Sequence, residues 1–78
     1  MSRFEKIRDA IADTLNVSAD SITETTVAGD LPAWDSLGHI NVMMAIEAAF
    51  DTMLDPEEMN DLTSVPKILA YLDANDLD

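Results

Sequence analysis

The first apolar pattern in the chain has the period of a helix. Four apolar side chains recur at spacings of three and four residues, namely Phe4, Ile7, Ile11 and Leu15. This spacing places them on one face of an α-helix of about 13 residues. Ser2 followed three residues later by Glu5 is the signature of a capping box at a helix start, and Asn16 is a suitable stop. The pattern therefore predicts an amphipathic first helix.

The helical period is lost between residues 17 and 35, where Ser, Thr, Asp, Gly and Pro prevail. Isolated apolar residues remain in this stretch, namely Val17, Ile22, Val27 and Leu31. Loops of this length in small domains are usually functional or disordered. The spaced apolar residues predict a loop that is pinned onto the core, with a short helical turn near residues 18–22. No four-residue stretch alternates as a strand would.

Three more helices are predicted downstream. The second runs from about Ser36 to residue 50, and the third starts at the cap Asp55, has Pro56 in its first position and ends near residue 62. Ser64 caps a fourth helix, whose first turn tolerates Pro66. The last three residues are expected to fray. The predicted fold class is all-α, a small bundle of three main helices plus one short helix, with a long loop between helices 1 and 2, in a single domain over residues 1–78.

The predicted second helix is apolar on two sides. One side carries Leu37, Ile40, Met44 and Ala48, and the other carries Val42, Met43, Ile46, Ala49 and Phe50. A helix of this kind is either buried centrally or exposes one side to a partner. The larger set is expected in the core, which leaves Leu37, Ile40 and Met44 as candidates for a docking surface. The alternative is that both sides pack, one on helices and the other under the long loop.

Composition excludes several function classes. The 78 residues include 16 acids and 4 bases, for a net charge of −12, which disfavours nucleic acids and anionic membranes as partners and favours basic ones. The absence of Cys excludes disulfides, thiolate zinc sites and cysteine nucleophiles. No apolar run approaches a membrane span, and no signal peptide is recognisable. We therefore expect a cytoplasmic monomer.

Candidate chemistry is concentrated where the long loop meets the second helix. Ser36 is most simply an N-cap there, but a phosphodiester on its hydroxyl would lie at the positive end of the helix dipole. Asp35, Ser36 and His39 do not form a credible hydrolase triad, since the acid and Ser are adjacent and the chain is too small for a cleft. His39 is expected to pack or to bond the loop, or alternatively to line a cavity mouth or contact a prosthetic group. Trp34 is expected to anchor the loop end.

The acidic segment after the second helix does not have the spacing of a calcium site. It contains Asp51, Asp55, Glu57, Glu58 and Asp61. An EF-hand loop needs alternating acids followed by a central glycine, and neither is present. No metal site is therefore expected.

Together these features resemble an acyl carrier protein. The resemblance rests on Trp34-Asp35-Ser36-Leu37 at a helix start, some 35 residues into the chain, supported by Ala45-Ile46-Glu47, Phe50, Ser64-Val65 and the run from Ile68 to Leu72. It extends from about Arg3 to Leu72. Length, acidity and the lack of Cys agree with it.

The resemblance implies a role for each part of the second helix. Ser36 would be the attachment site of 4'-phosphopantetheine, transferred from coenzyme A by a phosphopantetheinyl transferase, and Asp35 would help in that reaction. The arm's thiol would carry acyl thioesters between loading, transferring or condensing enzymes, so the chain itself would not be an enzyme. The partner-recognition positions would be Leu37, Ile40, Met44 and Glu47. The core side, with Val42, Met43, Ile46 and Phe50, is where related carriers can shelter an acyl chain.

The sequence departs from the usual fatty-acid carriers on this helix. Those carriers have acids at the positions held here by Gly38, Asn41, Ala48 and Ala49, so this helix keeps only Glu47. We therefore expect a carrier of a specialised pathway. Two alternatives stay open, an aminoacyl or peptidyl carrier of the same fold and a small acidic helical adaptor with an unmodified Ser36.

Overall fold

The computed structural model describes residues 2–77. Its four helices are α1 (Arg3–Leu15), α2 (Ser36–Phe50), α3 (Pro56–Asp61) and α4 (Val65–Ala74), and two short 3₁₀ turns occupy Ala19–Ser21 and Ala28–Asp30 in the loop before α2. The predicted order of three main helices and one short helix is confirmed. Within the described residues no strand forms, and the isolated backbone bridge between Val27 and Ser64 is the one sheet-like pairing found there.

The ends of α1 are set by its own sequence. The Ser2 hydroxyl accepts a 3.1 Å hydrogen bond from the Glu5 backbone N–H, and the Glu5 carboxylate accepts one of 2.9 Å from the Ser2 N–H. Asn16 ends the helix with a φ of 55°, a left-handed conformation that asparagine tolerates better than most residues. Both predicted boundaries of α1 are confirmed.

The core is built where α1, α2 and α4 face one another. Its fully buried members are Ile7, Ile11, Val42, Met43, Ile46, Val65, Ile68 and Leu72. α1 packs mainly against α2, and it also contacts α4. The predicted helix stripes thus form a single apolar interior, whose burial is the main driving force for folding.

The long loop is held on the bundle rather than left free. Ile22 and Trp34 are buried in the core cluster. The Ala28 N–H donates to the Thr63 carbonyl at 2.9 Å, and the Val65 N–H donates to the carbonyl of Thr26 at 2.8 Å. These bonds join the loop to the connection between α3 and α4. The prediction of a pinned loop with a helical turn near residues 18–22 is confirmed.

Leu77, near the C-terminus, contacts both α1 and α4. The N–H of Leu77 donates to the Leu72 carbonyl at 2.9 Å, and Nε of Arg3 donates to the Leu77 carbonyl. Leu77 also packs against the core. The prediction of fraying is therefore wrong for Leu77, because α1 and α4 both supply partners for it. Asp78 lies outside the described residues.

None of the helices within residues 2–77 combines the length and the apolar character that crossing a bilayer requires.

Candidate functional site

Ser36 is the first residue of α2 and lies exposed at its N-terminus. The cap is not Ser36 but Asp35, whose Oδ1 accepts a 2.8 Å hydrogen bond from the Gly38 N–H. The simple interpretation of Ser36 as an N-cap is therefore wrong, because Asp35 already fills that role. The Ser36 hydroxyl takes no part in the cap. The first amides of a helix and its dipole create a partial positive charge there, which favours a phosphate group.

Gly38 is buried where the loop passes closest to α2. A Cβ atom at this position would lie 2.3 Å from the Ala33 carbonyl oxygen and 3.1 Å from a methyl carbon of Leu15. Only glycine allows that approach without a backbone shift. The interpretation of Gly38 as a lost acid of the docking face is thus wrong, because this position points at the loop and α1. Asn41 and Ala48, in contrast, are exposed.

His39 connects three parts of the fold one turn after Asp35. Its Nδ1 accepts a 2.9 Å hydrogen bond from the indole N–H of Trp34, and its Nε2 bonds the backbone carbonyl of Met59 in α3. The indole can only donate and the carbonyl can only accept. His39 must therefore be neutral with its proton on Nε2. Trp34 is buried with 4 % exposure, so its predicted role as an anchor of the loop end is confirmed.

The occupied nitrogens of His39 also bear on hydrolase chemistry. A general base must be free to take a proton from the nucleophile. Here Nδ1 already accepts from Trp34 and Nε2 carries the proton donated to Met59. His39 therefore has no lone pair for Ser36.

Among residues 2–77, no group of three or more His, Asp or Glu side chains is arranged to hold a metal ion.

A depression of about 330 Å³ opens beside Ser36. Its walls come from the loop, α2, α3 and the following connection, and its lining residues are Ala28, Trp34, Asp35, Ser36, His39, Asn60 and Thr63. Its lining combines the apolar side chains of Ala28 and Trp34 with polar ones. Sequence reasoning identified Trp34, Asp35, Ser36 and His39. It missed Asn60 and Thr63, which carry no local signal and approach Ser36 only through the packing of α3.

The two sides of α2 have opposite environments. Val42, Met43 and Ile46 are fully buried, whereas Leu37, Ile40 and Met44 are 69 %, 54 % and 58 % exposed. The alternative in which both sides pack is therefore wrong. Leu37, Ile40 and Met44 lie three and four residues apart and form one continuous apolar surface, called the α2 face below. An exposed apolar surface on so small a domain is typical of a binding site.

Glu47 has a partner within the chain. Its Oε2 accepts a 2.8 Å hydrogen bond from the backbone N–H of Leu54, and its side chain is half-buried. Leu54 is itself a buried core residue. The carboxylate thus fixes the connection between α2 and α3, a role that sequence reasoning did not foresee.

Comparisons with known proteins agree with this geometry. Residues 5–72 match the family model described as a phosphopantetheine attachment site. The chain is similar to the acyl carrier protein of Clostridium acetobutylicum, with 38 % identity over 92 % of this chain and 94 % of the relative. It is also similar to the acyl carrier protein of Akkermansia muciniphila, with 39 % identity over 88 % of this chain and 86 % of the relative. With this identity and coverage, the chain belongs to the acyl carrier protein family, whose members bear phosphopantetheine and act as carriers rather than catalysts.

Proposed function

We propose that Ser36 is the residue that bears the 4'-phosphopantetheine arm, and that the chain uses the arm to present acyl groups to the enzymes of a dedicated pathway. The observation that carries the proposal is that different residues cap α2 and offer a hydroxyl at its start. Asp35 caps the helix through the Gly38 N–H, so the neighbouring Ser36, an exposed residue at the positive end of the helix, is left out of the cap.

The environment of Ser36 fits a phosphodiester. A helix N-terminus stabilises a negative group by about 0.3–1 kcal/mol at an exposed position. The Asp35 carboxylate opposes part of this attraction, but its Oδ1 is turned towards the Gly38 N–H. An amphipathic arm leaving Ser36 can reach the adjacent depression, where Asn60 and Thr63 offer hydrogen-bonding groups and Ala28 offers an apolar one.

The arm would supply the one functional group that the carrier needs and the chain lacks. The sequence contains no Cys, whereas phosphopantetheine ends in a thiol that forms thioesters. Ser36 holds the group, and the rest of the bundle positions it. Both relatives named above are acyl carrier proteins, which supports an acyl cargo over an aminoacyl one.

The α2 face is the proposed contact surface for the phosphopantetheinyl transferase and for the acyl-loading, transferring and condensing enzymes. Leu37 lies directly beside Ser36 and is 69 % exposed, so a protein that reaches the Ser36 hydroxyl must contact it. Partners with an apolar patch bordered by basic residues would match both this surface and the net charge of −12. Glu47 lies one turn after Met44 and stays part of the proposed contact surface, although its Oε2 already accepts the Leu54 N–H.

The pathway is proposed to be specialised because the docking surface is poor in charge. Asn41 and Ala48 are exposed on α2 and uncharged, and Glu47 is the one acid between Ser36 and Phe50. Recognition would then depend on apolar contact more than on ion pairs. To test this, the loaded carrier is supplied to fatty-acid synthase enzymes of the same cell. Turnover equal to that of the cell's main fatty-acid carrier would defeat the idea of specialisation.

The attachment itself is tested by intact-mass spectrometry after incubation with coenzyme A and a transferase. The wild-type chain is expected to gain one phosphopantetheine, and Ser36→Ala is expected to gain none. Ser21→Ala is a matched control, because Ser21 is also exposed but lies in the loop before α2. Its mass should shift like that of the wild type. An unmodified wild type would instead support the adaptor alternative.

A further inference from the structure

His39 and Trp34 form part of the wall of the depression beside Ser36. Trp34 belongs to the buried core cluster, and Met59, which bonds His39 through its carbonyl, packs against that cluster. A group that passes from the depression into the interior between α2 and α3 at this point must break the His39–Met59 bond, which joins the two helices.

Hydrogen bonds as well as packing hold Trp34 and His39 in place. The Trp34–His39 bond joins the loop to α2, and the His39–Met59 bond joins α2 to α3. The rings of Trp34 and His39 meet edge to edge through the Trp34–His39 bond, with centroids 6.1 Å apart and planes inclined by 21°. Parting α2 from α3 at this point breaks the His39–Met59 bond and leaves a polar nitrogen and a carbonyl without partners, which is unfavourable away from water.

Behind the pair, the interior is occupied by protein side chains. Val42, Met43 and Ile46 are fully buried on the inner side of α2. Close-packed interiors resist the insertion of extra methylene groups. An acyl chain could gain burial there only after the hydrogen bonds of His39 had been given up and these side chains displaced.

We infer that His39 is a specificity-determining residue, which keeps acyl groups of short and medium length in the open depression beside Ser36 and out of the core. The inference rests on the proposed attachment at Ser36. By this inference, the acyl groups on this carrier stay accessible to partner enzymes. The junction between α2 and α3 is the barrier that keeps them from being buried. The free energy gained by burying an acyl chain grows with each methylene. The free-energy cost of breaking the Trp34–His39–Met59 contacts is the same for every chain length. Removal of these contacts should therefore lower the chain length at which burial begins.

The test compares thioester accessibility for acetyl and octanoyl cargo. A transferase that accepts acyl-coenzyme A loads each group onto the full chain, and mass spectrometry confirms the loading. Hydroxylamine then attacks the thioester carbonyl, which forms a hydroxamate and releases the arm's thiol. In the wild type, the octanoyl and acetyl thioesters should be cleaved at similar rates. In His39→Ala, octanoyl cleavage should slow by about fivefold relative to acetyl cleavage, the equivalent of roughly one net hydrogen bond.

A second variant guards against a folding defect in His39→Ala. Trp34→Phe removes the indole donor but keeps an aromatic ring, and it should also slow octanoyl cleavage, though by less. Ser2→Ala is the control, because it removes a side-chain hydrogen bond far from the site, the exposed one that the Ser2 hydroxyl accepts from the Glu5 N–H at the start of α1. This control should behave like the wild type.

The outcomes separate this inference from the proposed function. Strong protection of octanoyl cargo in the wild type, or equal cleavage of both cargoes in both pair variants, would overturn the role of His39 while leaving Ser36 as the attachment site. Failure of the wild type to accept either group on Ser36 would overturn both.

Discussion

The indole N–H of Trp34 donates a 2.9 Å hydrogen bond to Nδ1 of His39. Because the indole is only a donor, this bond assigns the His39 proton to Nε2, where the Met59 carbonyl accepts it. A side chain of the loop and a backbone carbonyl of α3 thereby require the same tautomer of a side chain in α2.

This relationship predicts an observable tautomer. The ¹⁵N chemical shifts of the His39 ring should be those of the neutral form protonated at Nε2. In Trp34→Phe the donor to Nδ1 is lost, so the Nδ1 shift should change, while the proton should stay on Nε2 because the Met59 carbonyl still requires a donor there. A wild-type ring protonated at Nδ1 would contradict the hydrogen-bond assignment.

Gly38→Ala tests the close approach of the loop to α2. Alanine favours a helix over glycine by about 1 kcal/mol, yet its Cβ would lie 2.3 Å from the Ala33 carbonyl oxygen. Since that neighbour is backbone, we expect a net destabilisation of about 1–3 kcal/mol in urea unfolding. Asn41→Ala, at an exposed position of the same helix, should change stability by less than about 0.5 kcal/mol. Stabilisation by Gly38→Ala would show that the loop does not pack as described.

Glu5 predicts a pH dependence of stability. Hydrogen bonds from Ser2 lower the pKa of Glu5 below its ordinary value of 4.5. The bond from the Ser2 backbone N–H has the larger effect, and the bond from the Ser2 hydroxyl has the smaller one. The folded state therefore favours the ionised carboxylate. Its contribution is fully present above pH 4.5 and is lost as the pH falls through the lower folded-state pKa.

Glu5→Gln should remove this dependence. The difference in stability between wild type and Glu5→Gln is expected to be largest near neutral pH and to shrink in acid, as measured by urea unfolding across the pH range. The Glu5 carboxyl should also titrate below 4.5 by NMR. A difference that grows as the pH falls would be opposite to this expectation.

Glu47 should stabilise the connection between α2 and α3. Glu47→Ala leaves the N–H of buried Leu54 without its carboxylate acceptor, which should cost about 1.5–3 kcal/mol, as for hydrogen bonds to charged groups. Glu47→Gln retains an acceptor oxygen and should cost less. Hydrogen exchange of the Leu54 amide is the local measurement, and it should accelerate most in Glu47→Ala. Unchanged exchange would show that this bond does not form in solution.

Adjacent methionines on α2 offer a matched pair for the docking surface. Met43 is fully buried, whereas Met44 is 58 % exposed. Met43→Ala should lower stability by about 2–5 kcal/mol. Met44→Ala should leave stability within about 0.5 kcal/mol but raise the Kd for the transferase by about fivefold, if a contact worth about 1 kcal/mol is lost. Unaltered binding of Met44→Ala and Leu37→Ala would remove the α2 face from the interface.

Local rules were enough to predict most of the fold. The Ser2–Glu5 pair and the left-handed Asn16 define α1, and periodicity separates the buried Val42 from the exposed Met44. Each of these signals involves residues within one or two helical turns. The boundaries of α2 and the position of Ser36 at its start followed from the same rules.

Contacts between distant segments could not be predicted in this way. The His39–Met59 bond spans 20 residues, and the Glu47–Leu54 bond crosses a helix end. Their partners are backbone groups, which every residue possesses, so side-chain identity gives no signal. The buried position of Gly38 depends likewise on the path of the Ala33 backbone. These contacts distinguish the site of this carrier from a generic helix start.

The attachment of the arm is tested most directly by locating the modification along the chain. The protein is incubated with coenzyme A and a transferase, digested, and sequenced by tandem mass spectrometry. We predict phosphopantetheine on Ser36 and on none of Ser2, Ser18, Ser21 or Ser64. A chain modified at another serine, or left unmodified under conditions that modify a known acyl carrier protein, would contradict it.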